Sequence, residues 1–295
     1  MYPVLFELPI GEGFPLFSFL LFIVLGIIVA LSLAGRTAKR QGIPTDSVLD
    51  IGLLATFAGL VGARIFYLYV DQTAGDFDLV SEGWLEIGKG GFSFFGGLIL
   101  ALPLTYAYAR LRHLSFLTLA DIYAAPLAFA LALGRLGCLL AGCCFGSPAS
   151  TSFPLGLRFP EESDAMSRQW IVFNDQPEIW DALVEGLGFP PGTEPELAVY
   201  PVQVVAFLAL LLLGLLLYRQ SGRLAKTPGK LFSRFILLYA AGRFLLEFYR
   251  DDTPLAGAWG VFPGLHSGQW LSLAILLLLA GGVLLFRQNT NPGKT

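Results

Sequence analysis

Charged residues are scarce in this sequence. Asp, Glu, Lys and Arg together make up 14% of the 295 residues, hydrophobic residues make up 55%, and the mean hydropathy is +0.67. These values lie outside the ordinary range of soluble proteins and are typical of proteins that cross a membrane several times. The formal net charge of −3 gives no indication of a nucleic-acid partner, and none is expected.

Histidine is rarer still, and cysteine is nearly as rare, with two and three residues respectively. Cys138, Cys143 and Cys144 lie close together in sequence, but neither His113 nor His266 is near them. Three thiols without a nearby histidine do not indicate a zinc site, so we expect no metal and no cofactor. Small buried thiols in a glycine-rich helix end are the common interpretation, and a reactive thiol beside a cation is the alternative.

Long apolar stretches dominate the chain. Seven of them are long enough to cross about 30 Å of hydrocarbon, at roughly 14–35, 51–70, 90–109, 117–141, 200–218, 231–249 and 267–286. No cleavable signal peptide is expected, because the first apolar run follows Glu7 and Glu12 instead of a basic start. The sequence therefore predicts an all-α fold, with one integral membrane domain over residues 1–295.

The distribution of Lys and Arg predicts the orientation. With the N-terminus outside, the inner loops and tail hold twelve of the nineteen basic residues, whereas the outer segments around 71–86 and 147–199 are acidic. We therefore expect the N-terminus outside and the C-terminus in the cytoplasm. The 147–199 segment is too long for a simple connection. Its many prolines and the helical spacing over 177–187 predict a small extracytoplasmic head.

Three of the apolar stretches carry an arginine: Arg64, Arg135 and Arg243. A guanidinium at that depth costs at least a few kcal/mol unless it faces the bundle interior or meets a partner, so it marks a site by default. In the predicted orientation all three lie toward the outer leaflet, where the segments after them run back and bring Gly96, Gly97, Gln203 and Gln269 to a similar depth. The sequence thus predicts a polar, arginine-lined pocket that opens outward.

Simpler interpretations exist for some of these residues. Arg243 and Glu247 are four residues apart and can neutralise each other on one helical face. Arg64 and Arg250 can reach to the interface as anchors. The spans hold a single carboxylate, Glu247, at this depth, so a positive surplus remains. Asp121, near the inner end of its segment, is interpreted as a structural hydrogen-bonding residue.

Several blocks carry a family resemblance. Residues 134–146 read GRLGCLLAGCCFG, which is similar to the signature G-R-x-G-N-F-x-N-x-E-x-x-G of bacterial prolipoprotein diacylglyceryl transferases at Gly134, Arg135, Gly137 and Gly146. The blocks around Arg64 with Tyr67, Arg243 to Arg250, and Gly268 with Gln269 also resemble that family. The resemblance runs over almost the whole length and implies a bacterial inner-membrane transferase.

The chain departs from the family pattern at several positions. Cys138 stands where the family signature has an asparagine, and Cys143 stands where it has a glutamate. Phe95 replaces the histidine proposed to assist proton transfer, and Tyr200 replaces a second histidine. A tyrosine expected in the first span corresponds to Phe19. The general base is therefore open among Glu247, Tyr67, Tyr200 and a native thiolate.

The resemblance implies transfer of a diacylglyceryl group from phosphatidylglycerol to the lipobox cysteine of a preprolipoprotein, with glycerol phosphate as the leaving group. Two guanidiniums in a low-dielectric pocket suit that phosphate. The expected catalytic residues are Arg135, Arg243 and Glu247. The expected substrate-binding residues are Arg64, Tyr67, Gly96, Gly97, Cys138, Cys143, Gly146, Gln203, Arg250 and Gln269.

Two other functions stay open on the sequence alone. The first is another phospholipid-group transfer on the same fold, in which Cys143 or Cys144 carries a covalent intermediate. The second is a non-catalytic paralogue that binds or transports lipid.

Overall fold

The computed structural model describes residues 4–8, 14–69, 93–161, 163–224, 227–250, 269–270 and 272–277. Two short strands come first, and eight α-helices with described bounds follow. The elements are β1 (Val4–Leu8), β2 (Phe14–Phe17), α1 (Ser18–Gln41), α2 (Thr45–Tyr69), α3 (Phe94–Leu111), α4 (Phe116–Ala141), α5 (Asp164–Asp175), α6 (Pro177–Gly186), α7 (Val202–Leu224) and α8 (Lys230–Leu246). A short 3₁₀ turn, Glu247–Tyr249, follows α8.

The helices agree with a multi-pass membrane protein. Four of them are long and apolar enough to cross a bilayer: Ser18–Gln41, Thr45–Leu68, Phe116–Ala141 and Val202–Gly222. The third and sixth predicted spans coincide with α3 and α8, which are shorter, at 18 and 17 residues. The seventh lies mostly outside the described residues, although 269–270 and 272–277 are helical. Seven spans therefore stay a prediction.

The architecture is helical, as predicted, apart from one short pair of strands near the N-terminus. Strands β1 and β2 pair antiparallel, with Val4 opposite Phe17 and Leu8 opposite Phe14. The predicted first span began at residue 14, whereas helix α1 begins at Ser18, because residues 14–17 are extended in β2. Hydropathy alone does not separate an apolar strand from the start of an apolar helix.

The chain divides into two compact units. One unit comprises Met1–Gly26, Ala128–Leu216 and Ser233–Thr295, and the other comprises Ile27–Leu127 and Leu217–Phe232. In the second unit, α2 and α3 approach closely at glycines, as expected for membrane helices. A Cβ on Gly96 would overlap the Phe66 side chain and the Gly62 carbonyl, and a Cβ on Gly97 would lie 3.1 Å from the Gly59 carbonyl. These glycines therefore allow α2 and α3 to pack closely.

Asp121 holds the start of α8 within the second unit. Its two carboxylate oxygens accept hydrogen bonds from the backbone N–H groups of Gly229 and Phe232, each at 2.7 Å. Gly229 directly precedes α8 and Phe232 is its third residue, so the carboxylate caps the N-terminus of the helix. The interpretation of Asp121 as a structural hydrogen-bonding residue is confirmed.

Two short helices, α5 and α6, lie between α4 and α7 in the first unit. Trp180, Val184 and Leu197 are buried together, and the Trp180 indole N–H donates to the Thr193 carbonyl at 2.7 Å. Buried Gln169 donates to the Leu197 carbonyl at 3.0 Å and accepts from the Leu197 amide at 2.9 Å. The helix predicted over 177–187 is confirmed as α6.

Candidate active site

A cavity of about 250 Å³ lies within the first unit. Its walls come from the end of α4, from α7, from α8 and from the turns that follow α4 and α8. Along α7 the lining extends from Val202 to Leu216, which is about 21 Å of helix at 1.5 Å per residue. Half of the α7 residues in this wall are leucine, whereas the charged residues of the cavity lining are Arg135, Arg243 and Arg250. The cavity therefore combines a long apolar wall with a concentration of guanidinium groups.

Arg243 is held by a buried carboxylate one helical turn away. Its two terminal nitrogens contact the two oxygens of Glu247, at 2.6 Å and 3.2 Å. The Glu247 side chain is 1% exposed, and the same carboxylate lies 3.8 Å from Nε of Arg250. The expected pairing of Arg243 with Glu247 is present, and Glu247 is shared between two guanidiniums.

Arg250 is a cavity residue in this structure. Its side chain is 10% exposed and contributes to the cavity lining, so the interface-anchor interpretation does not apply to it. Arg250 also pairs through its backbone with Gly146 in an isolated antiparallel bridge. A Cβ on Gly146 would overlap the Tyr200 carbonyl and side chain. The role of Gly146 in the structure is thus to allow three chain segments to meet closely beside the cavity.

Arg135 is the third guanidinium that lines the cavity. It lies in the last two turns of α4, and among the described residues no carboxylate forms an ion pair with it. Together, Arg135, Arg243, Arg250 and Glu247 carry a net charge of about +2 at neutral pH, since arginine stays protonated. Such a cluster is suited to an anion with several oxygens, for which the guanidinium fork gives paired hydrogen bonds.

Gln203 connects the first turn of α7 to the cysteine segment. Its side chain is 1% exposed, and its Nε2 donates to the backbone carbonyl of Cys143 at 3.1 Å. Its Oε1 is buried and has no hydrogen-bond partner among the residues that the structure describes. Since an unsatisfied buried acceptor costs about 1–3 kcal/mol, Oε1 is available to a hydroxyl or N–H of a ligand.

The end of α4 brings the three cysteines together. Gly142 has φ +76°, and the Cys143 amide donates to the Cys138 carbonyl at 3.1 Å. This is a Schellman-type helix end, which places the side chain two residues past the cap against the last helical turn. Cys144 follows with φ +55°, a left-handed conformation that costs a non-glycine residue about 1–3 kcal/mol. All three Sγ atoms lie within 4.8 Å of one another, and all three cysteines are free of disulfides.

The surroundings of Cys144 favour its thiolate form. Hydrogen bonds from the Cys138 and Cys143 thiols, followed by the positive charges of Arg250 and Arg135, hold the pKa of Cys144 well below its usual range. Cys144 lines the cavity beside Arg135 and Gln203. The cysteine cluster and the arginine cluster are therefore parts of one site.

The sequence-predicted residues divide between the two units. Arg135, Gln203, Arg243 and Arg250 line one cavity, and Glu247 contacts two of them. Gln269 belongs to the same unit and is fully buried, while Gly268 lies outside the described residues.

The other predicted residues belong to the second unit. The Arg64 guanidinium lies 6.0 Å from the centre of the Tyr67 ring, and Gly96 and Gly97 serve in helix packing. Binding of substrate by these four residues stays a prediction.

Sequence reasoning missed Tyr239 and the leucines of the apolar wall. Tyr239 lines the cavity four residues before Arg243, so the helical spacing of these two residues was the available signal. The leucines carried no signal, because apolar residues occupy every face of a membrane helix and only the structure selects those that border the cavity.

Comparisons with known proteins show the family of this chain. The family model "Prolipoprotein diacylglyceryl transferase" matches residues 3–287. A "Phosphatidylglycerol--prolipoprotein diacylglyceryl transferase" of Clostridium tetani is 26% identical over 288 residues, covering 97% of this chain and 97% of the relative. A "Phosphatidylglycerol--prolipoprotein diacylglyceryl transferase 2" of Clostridium perfringens is 30% identical over 290 residues, with 97% and 96% covered. A Bifidobacterium adolescentis relative with the first of these names is 28% identical over 278 residues, with 92% and 75% covered. The chain thus belongs to the prolipoprotein diacylglyceryl transferase family.

Proposed function

We infer that this chain transfers a diacylglyceryl group from phosphatidylglycerol to the lipobox cysteine thiol of a preprolipoprotein, so that a thioether forms and glycerol phosphate leaves. One observation carries the inference: in a chain of this family, three guanidiniums and a long apolar wall line the same cavity. A phospholipid has the matching pair of parts, an anionic phosphate and acyl chains.

Arg135 and Arg243 are proposed to bind the phosphate of the donor lipid. Both line the cavity, and Glu247 fixes Arg243 through two contacts, at 2.6 Å and 3.2 Å. When the bond between the glyceryl carbon and the phosphate oxygen breaks, that oxygen gains negative charge. Guanidiniums already in place stabilise this charge without reorganisation at the moment of reaction.

Gln203 is proposed to hold the glycerol headgroup. Its Oε1 is an acceptor with no partner among the described residues, and the headgroup of phosphatidylglycerol offers hydroxyl donors. An ethanolamine headgroup would bring a cation toward a cavity lined by Arg135, Arg243 and Arg250. Charge thus favours phosphatidylglycerol over a zwitterionic lipid.

Glu247 is proposed to position the arginines and not to act as the general base. It is 1% exposed and contacts Arg243 and Arg250, so it is placed to hold the two guanidiniums. Arg64, Tyr67, Gly96, Gly97 and Gln269 are proposed, on the resemblance alone, to complete the substrate site.

The proposed setting is the bacterial inner membrane with the N-terminus outside. Both substrates are available at the outer face, where the preprolipoprotein arrives after translocation. The segment over residues 147–199 is proposed to be extracytoplasmic, next to the opening.

The direct test is transfer by the purified full-length chain. It would be incubated in micelles with phosphatidylglycerol and a lipobox peptide, and mass spectrometry would detect a peptide heavier by one diacylglyceryl group. Phosphatidylethanolamine is the control donor and should give no product. An inactive but folded protein would favour the lipid-binding paralogue, and a lipid adduct on Cys143 or Cys144 would favour the covalent alternative.

A further inference from the structure

The three-cysteine cluster has no assigned task in the reaction as described so far. The acceptor peptide supplies the thiol that is alkylated, so a second nucleophile is not needed. Yet the three sulfur atoms lie within 4.8 Å of one another, and the segment that brings them together contains two residues in left-handed backbone conformations, Gly142 and Cys144. Three sulfur ligands can bind a thiophilic metal ion without a histidine.

The spacing fits one thiophilic ion. Zinc binds thiolate sulfur at about 2.3 Å, so two sulfurs that share a tetrahedral zinc lie about 3.8 Å apart. Sulfurs already within 4.8 Å reach this separation by small side-chain rotations. Soft thiolate ligands select zinc over magnesium or calcium, and three protein ligands leave one position of the tetrahedron open, as in catalytic zinc sites.

The cysteine cluster adjoins two cations. Three thiolates and one Zn²⁺ carry a net charge of −1, and Arg135 and Arg250 line the same cavity as Cys144. An ion bound by Cys144 would therefore adjoin the place proposed for the donor lipid.

We propose that Cys138, Cys143 and Cys144 bind one Zn²⁺ ion, and that its open position binds the thiol of the acceptor cysteine during transfer. This proposal rests on the proposed function for its second half only. It revises the expectation of no metal, because the turn at Gly142 and Cys144 brings the three sulfurs to one place.

An ion bound there would supply a way to deprotonate the acceptor, because a thiol that coordinates zinc loses its proton, here to water. The acceptor sulfur would then attack the glyceryl carbon, the carbon–oxygen bond to phosphate would break, and its electron pair would leave with glycerol phosphate beside Arg135 and Arg243. The product sulfur would be a neutral thioether, a weak ligand for zinc. No oxidant or reductant enters.

Measuring the metal content tests directly whether the three cysteines bind zinc. The full-length protein would be purified in detergent, its zinc measured by mass spectrometry, and the ion exchanged for Co²⁺, whose absorption spectrum reports thiolate ligands and tetrahedral geometry. We expect about one ion per chain in the wild type. Cys138→Ser and Cys144→Ser should lose it, whereas Arg243→Ala should keep it while losing transfer.

Chelation keeps the test valid if a serine variant fails to fold. Wild-type protein stripped by a chelator should lose transfer by at least tenfold and regain it when Zn²⁺ is added back. Protein without zinc and without a cobalt–thiolate spectrum, or with a disulfide between two of the cysteines, would overturn the site. Full transfer by stripped protein would overturn its role in catalysis. Stoichiometric zinc without transfer from phosphatidylglycerol would instead refute the proposed function and leave the metal site standing.

Discussion

Single side chains decide how much positive charge the cavity holds. Glu247 is buried between Arg243 and Arg250, at 2.6 Å and 3.8 Å, and Arg135 stands apart from any described carboxylate. Removing the carboxylate would take away the group that both guanidiniums contact, whereas removing an arginine would take away a binding group for an anion. The two kinds of substitution therefore have separable consequences.

Arg135→Ala and Arg243→Ala should each lower the turnover number by about 10²–10³-fold, the typical loss when one stabilising group is removed from a developing charge. Arg→Lys at either position should recover only part of the rate, because lysine lacks the planar fork. Steady-state transfer to a lipobox peptide measures this, with thermal stability as the control for folding. A wild-type rate in either alanine variant would remove that arginine from the mechanism.

Glu247→Gln tests whether this carboxylate positions or catalyses. Glutamine keeps the shape and one acceptor for Arg243, so we expect a smaller loss of rate than in Arg243→Ala, with the pH dependence of transfer unchanged. The measurement is a pH–rate profile of both proteins. Loss of the acidic limb of the profile in Glu247→Gln would make Glu247 the general base instead.

At the scale of elements, the end of α4 sets the geometry of the site. Gly142 stops the helix in a left-handed conformation, and a Cβ added there would lie 2.8 Å from the Cβ of Ser163. The same turn places Cys143 against Cys138 and carries its carbonyl to Gln203. Helix termination and assembly of the site are thus one event in this segment.

Gly142→Ala should destabilise the protein by roughly 1–2 kcal/mol, because alanine is strained at positive φ and crowds Ser163. Gly186→Ala is the matched control, since nothing lies within 4 Å of a Cβ at that helical position. We expect it to be neutral or slightly stabilising. Apparent melting temperatures in detergent measure both, and equal values for the two variants would contradict this account of the turn.

Helices and their capping residues were readable from the sequence because they depend on local patterns. The ends of α4 and α6 fall within a residue of the predicted ends, and Asp121 was recognised as structural from its place near a segment end. The cysteine cluster could not be predicted from the sequence in the same way. Sequence spacing gave three nearby thiols, but their convergence depends on two left-handed residues, of which Cys144 is not a type that signals such a conformation.

For the whole molecule, the orientation in the membrane is the prediction on which the reaction depends. Residues on the surface give a clean test. Leu155, between α4 and α7, and Leu111, at the end of α3, are 69% and 79% exposed. The predicted topology places Leu155 outside and Leu111 at the cytoplasmic face.

With the native cysteines replaced by alanine, Leu155→Cys should react in intact cells with a thiol reagent that cannot cross the membrane. Leu111→Cys should react only after the membrane is permeabilised. Labelling is read by gel shift, and equal expression of both variants is the control. The reverse pattern would place the arginine cavity toward the cytoplasm, away from translocated preprolipoproteins.

The apolar wall of the cavity is also part of the outer surface of its helices. Leu212, Leu216 and Leu238 line the cavity and are 58%, 42% and 51% exposed, which in a membrane means contact with lipid. A donor lipid can therefore keep its acyl chains in the bilayer, avoiding a cost of about 0.8 kcal/mol for each CH₂ moved into water. Catalysis then follows two-dimensional kinetics: turnover depends on the mole fraction of phosphatidylglycerol in the surface and is unchanged when total lipid is doubled at constant composition.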